Sequence, residues 1–83
     1  MKKYKGKSGN NGVTAYEILE KEIILEFKYQ DLYLYDYTKP GKKHVEQMKI
    51  LAEDGKGLTK YDNQNVRDNY KEKINRNLAL IAS

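Results

Sequence analysis

Eight tyrosines, one histidine and no cysteine bound the chemistry open to this chain of 83 residues. General acid and base catalysis needs titratable groups that converge in a cleft. His44 lies at the edge of an apolar helical stripe with no partner motif around it, the setting of a partly buried structural histidine. Lys56, between Gly55 and Gly57, superficially suggests a phosphate loop, but the preceding strand and the further glycine of such a loop are missing, and Gly-Lys-Gly after a helix is a stop signal. No Walker loop, dinucleotide fingerprint, Gly-x-Ser-x-Gly or metal-ligand spacing occurs. The expectation is a protein that is not an enzyme and holds neither metal nor cofactor.

The residues better suited to binding are Tyr33, Tyr35 and Tyr37, alternating in the stretch YLYDY, with Lys39, Lys42 and Lys43 soon after. Sheets that bind nucleic acid display aromatic rings on which bases stack, each worth about 1–3 kcal/mol, with cationic side chains to hold the backbone. The competing reading puts the rings in the core and their hydroxyls at the wet rim. It is favoured, because a domain with one phenylalanine and no tryptophan must build its interior from tyrosine. Tyr37, last in the run and beside the lysines, is the ring expected to stay accessible. Asn63 and Arg67, one helical turn apart, form a second polar pair. They read equally as a helix cap with an arginine reaching over the core edge, or as a polar site at the sheet rim, since a guanidinium suits a carboxylate and a phosphate alike.

The formal net charge of +4 is unevenly spread. Residues 1–12 carry four lysines and no acid, residues 13–37 two basic and six acidic groups, residues 38–60 six and three, and residues 61–83 four and three. Nucleic-acid affinity comes largely from phosphate neutralisation, so the N-terminal segment and residues 38–60 are the candidates for that contact. The start, MKKYKGKSGNNG, is basic but leads into no apolar run, and the longest apolar stretch, residues 78–82, is far shorter than the roughly 20 residues that span a bilayer. With no cysteine to form disulfides, these features lead to the expectation of a cytoplasmic protein without a membrane partner.

A chain this short makes one domain. Residues 1–12, poor in apolar side chains, read as a flexible basic arm, and residues 13–83 as a single domain. Three runs of β-formers, residues 13–19, 23–27 and 32–37, indicate an antiparallel meander. An odd loop between the second and third runs would put Ile23, Leu25, Phe27, Tyr33, Tyr35 and Tyr37 on one face, leaving Ile24, Glu26, Lys28, Leu34 and Asp36 on a mixed face. At 100° per residue, His44, Val45, Met48, Leu51 and Ala52 form one helical stripe that should cover the sheet, with Ile50 outside it. A second helix, capped by Asp62 or Asn63, is expected to run through Asn75 and beyond, since Val66, Tyr70, Ile74, Leu78 and Ile81 recur at spacings of four and three. The fold class is therefore α+β: a three-stranded antiparallel meander followed by two helices packed on one face.

The apolar alternation ending in Phe27, the Tyr33-Leu34-Tyr35 centre, the helix containing Val45, then Lys56-Gly57 and Asn63-x-x-Val66-Arg67, resemble the KTSC domain. This is a short bacterial domain also found at the C-terminus of some lysyl-tRNA synthetases, and the likeness spans roughly residues 13–67. The resemblance implies a small domain of unestablished function for which RNA binding is proposed. Here RNA would meet the N-terminal lysines and Lys39, Lys42 and Lys43, with Tyr37, Asn63 and Arg67 contacting bases or backbone. The alternative is a protein-interaction module, or self-association, using the open sheet face (Ile24, Leu34) or the end formed by Leu78, Leu80 and Ile81.

Overall fold

The computed structural model describes residues 1–6, 12–27 and 31–75. Its strands are β1 (Lys2–Lys3), β2 (Val13–Ile18), β3 (Glu22–Phe27), β4 (Asp31–Asp36) and β5 (Glu72–Asn75). Between β4 and β5 come α1 (Lys42–Asp54), the short α2 (Leu58–Tyr61) and one π-type turn (Asp62–Val66). The sheet is antiparallel throughout, in the order β1-β2-β3-β4-β5. The class is α+β with two helices, but the sheet has five strands rather than three.

The β3–β4 register pairs Leu25 with Tyr33 and Ile23 with Tyr35, the parity of an odd connection. Tyr35 is accordingly fully buried, while Tyr33 and Tyr37 are half-buried at the margin. Tyr33 packs edge-on to Phe27 (5.3 Å between centroids) and against Tyr70 (4.9 Å). YLYDY is thus mainly a wall of the core. In β2, Val13 and Tyr16 both face inward although three positions apart. A bulge at Thr14 inserts the extra residue that restores the alternation, and the Thr14 hydroxyl donates to the Glu26 carbonyl at 3.2 Å.

The stripe of α1 behaves as its spacing predicts. Val45, Met48 and Ala52 are buried, Ile50 is 58% exposed, and Gly55 (φ 74°) closes the helix in the left-handed conformation. Together with Ile23, Leu25, Tyr35, Leu58 and Val66 these side chains form the centre of the core.

Two expectations are corrected. Residues at the start of the N-terminal segment are not a free arm: β1 pairs with β2, and Tyr4 is buried, its amide donating to the Thr14 carbonyl (2.9 Å) and its hydroxyl accepting the Leu58 amide (3.1 Å). The second helix does not reach Asn75. After the π-type turn the chain runs out as β5, pairing Ile74 with Leu32 and Lys73 with Tyr33, because the edge of β4 offers a row of unpaired backbone groups that a strand satisfies and a helix does not. Leu78, Leu80 and Ile81 lie outside the described residues.

Candidate functional site

Four of the six candidate residues meet where β4 turns into α1. Asp36 shapes the turn. Its Oδ1 accepts hydrogen bonds from the Thr38 hydroxyl (2.6 Å) and from the amides of Thr38 and Lys39 (both 2.9 Å), and these bonds, the Thr38 hydroxyl first, hold its carboxyl below the usual value. The turn presents Lys39 beside Lys42 and Lys43 at the start of α1, all three exposed and, among the described residues, outside any ion pair. α1 begins at Gly41 without a side-chain cap or an acid in its first turn, and its first backbone bond runs from the Val45 amide to the Gly41 carbonyl (3.1 Å). The amides ahead of that bond and the positive end of the helix dipole therefore add to the charge of the lysines.

Tyr37 stands on the inner side of this corner. Its hydroxyl donates to Glu46 Oε2 (2.7 Å), and the Nζ atoms of Lys42 and Lys49 lie 5.8 and 5.7 Å from its ring centroid. Lys49 also bridges Glu46 (2.8 Å) and donates to the Glu20 carbonyl (2.7 Å). Glu46 is held below its ordinary value, first by the Lys49 hydrogen bond and then by Tyr37, while the bond to Glu46 pushes the Tyr37 phenol up. Beside Tyr37 opens a cleft of about 470 Å³ lined by Glu20, Lys21, Glu22, Asp36 and Thr38. An anion is therefore favoured on the lysine side of Tyr37 and not in this cleft.

Asn63 and Arg67 do not join that corner's contacts. Both are exposed, Asn63 within the π-type turn and Arg67 directly after it. The turn instead buries Asp62, 3% exposed, whose Oδ1 accepts the Tyr35 hydroxyl at 2.6 Å. Burial pushes the Asp62 carboxyl up against the opposing effects of the Tyr35 hydrogen bond and the Arg67 charge, and burial followed by the Asp62 charge pushes the Tyr35 phenol up. His44 is half-buried, with Nδ1 2.7 Å from the Tyr61 hydroxyl. Sequence reasoning missed Glu46 and Lys49, although their spacing of three on one helix was a usable signal. It had no signal for the burial of Asp62, which is 27 positions from Tyr35.

Among the described residues no three His, Cys, Asp or Glu side chains group as a metal site, and no helix is long and apolar enough to cross a membrane. Comparison of the chain with family models, with curated proteins and with solved structures gave no match.

Proposed function

We propose that this is a small non-enzymatic binding domain that contacts single-stranded RNA at the start of α1. The carrying observation is a helix N-terminus without a side-chain cap, flanked by three exposed lysines that have no ion-pair partner among the described residues, Lys39, Lys42 and Lys43, with Lys42 above the Tyr37 ring. Lysines and free amides converging there suit phosphate oxygens. Tyr37 contributes one ring margin, since its hydroxyl is engaged by Glu46, so recognition would be through the backbone and tolerant of sequence. The KTSC-like motifs bring the same class of ligand to mind, and Asn63 and Arg67 would belong to this site only if a long strand reached both elements.

An amide NMR titration with a mixed-sequence single-stranded RNA tests the reading. Saturable shifts are expected over Tyr37–Val45, and neutralising three phosphates implies a loss of roughly 20-fold in affinity between about 50 and about 200 mM salt. The variant Lys39→Gln/Lys42→Gln/Lys43→Gln should lose most of that dependence. Shifts confined to residues 2–5, or unchanged binding by the triple variant, would defeat the proposal. Deleting the N-terminal segment is no clean control, because Tyr4 belongs to the core.

A further inference from the structure

The sheet has a second face, turned away from α1 and α2. By register, Ile24 lies opposite Leu34 and Leu32 opposite Ile74, with Ala15 on the same side. These four large side chains are partly exposed and are not among those packed against the core. Carboxylates surround them: Glu17 is paired with Ile24 at one end of their row and Glu72 with Leu34 at the other, Glu26 lies between Ala15 and Leu32, and Glu22 stands opposite Asp36. Among the described residues the one lysine in these rows is Lys3, opposite Ala15. Lys71, which directly precedes β5 and donates its amide to the Leu34 carbonyl (2.7 Å), acts on Asp36, and the amino terminus lies 3.7 Å from Glu17.

We propose that this face docks a basic amphipathic helix of a partner protein. The inference is independent of the RNA reading, which concerns the α1 corner. Strands in a sheet are about 4.8 Å apart, so Glu17 on β2 and Glu72 on β5 are separated by three such steps, about 14 Å. A helix with its side chains is about 10–12 Å across. It fits between the two carboxylates, its apolar stripe on Ile24 and Leu34 and its lysine or arginine flanks against Glu17 and Glu72. Nucleic acid is disfavoured on this face, since among the described residues the carboxylates placed on it outnumber the cations. A second copy of the chain is a poor occupant through α1, because Ile50, the exposed apolar residue there, is followed three and four positions on by the exposed acids Glu53 and Asp54, which carry the same sign of charge as this face.

The test uses the full chain and three synthetic 18-residue peptides: a helix with a leucine stripe and lysine flanks, the same stripe with glutamate flanks, and a scramble of the lysine peptide. Amide shifts on adding the first should saturate and centre on Ala15, Ile24, Leu34 and Ile74, with affinity at least 10-fold above that of the other two. Glu17→Lys/Glu72→Lys should weaken binding about 10-fold or more while leaving the circular dichroism spectrum unchanged. Leu34→Lys should do the same, and the charge variant keeps the test decisive should Leu34→Lys unfold. Equal binding of the scramble, shifts that map to α1, or no shift at millimolar peptide would overturn the proposal, as would concentration-dependent self-association through the same residues.

Discussion

Tyr35 donates its hydroxyl to a carboxylate that is 3% exposed, and the direction of the Asp62 shift decides what that contact contributes. Burial raises the Asp62 carboxyl, and neither Tyr35 nor Arg67 fully offsets it. An acid raised in the folded state binds its proton more readily there than in the unfolded chain. Its contribution is therefore complete below the ordinary aspartate value of about 3.9 and is lost as pH climbs through the folded value. Asp62→Asn keeps an acceptor for Tyr35 and cannot ionise. Its stability relative to the parent should be more favourable at pH 7 than at pH 3, read from urea midpoints, and an equal difference at both would show that Asp62 carries no burial cost. Tyr35→Phe works the other way: it leaves a buried carboxylate without this donor, costing about 2 kcal/mol at pH 7 and less at pH 3.

At the scale of elements, the N-terminal strand pairs with β2 through its backbone and is anchored to the core by the side chain that follows it, Tyr4. Tyr4 fills the core beneath α2 and caps the Leu58 amide, so Tyr4→Phe should cost about 1–3 kcal/mol by leaving that amide buried and unpaired. Gly6→Ala should also destabilise, since a Cβ at that position would overlap the Tyr4 ring, and loss of Tm in both variants without loss of α1 helicity is the expected record. The same element shows where sequence patterns stop. β2, β3, β4 and α1 were legible because their period of 2 or 3.6 is local. β1 was not, since two lysines flanking no apolar run become a strand only when the edge of β2 is there to pair with them. β5 was misread because Val66, Tyr70 and Ile74 are spaced by four, yet Val66 is buried in the core at the end of the π-type turn, Tyr70 packs against the Tyr33 ring and Ile74 lies across from Leu32. Three residues of apparent helical stripe thus have three separate partners. The Lys39–Lys43 corner was readable because it is contiguous, whereas Asp62 is placed by tertiary contact alone.

At the scale of the whole molecule, charge is sorted by surface: lysines at the start of α1, carboxylates on the open sheet face. That sorting carries a cost in stability, most directly where Glu22 and Asp36 face each other across β3 and β4, since like charges placed opposite on a sheet destabilise it by about 0.2–1 kcal/mol. Selection for folding alone would favour a cation at one of the two positions. Asp36 is committed to the turn through Thr38 and Lys39, which leaves Glu22 as the position free to change. Glu22→Lys should therefore raise stability by about 0.5 kcal/mol while lowering affinity for a lysine-flanked helix severalfold, and the affinity loss should shrink in high salt, where exposed charges are screened. Opposite signs for stability and binding are what a docking surface requires. A gain in both would mean that the carboxylates of this face serve solubility rather than recognition, and urea denaturation paired with peptide titration of the one variant separates the two.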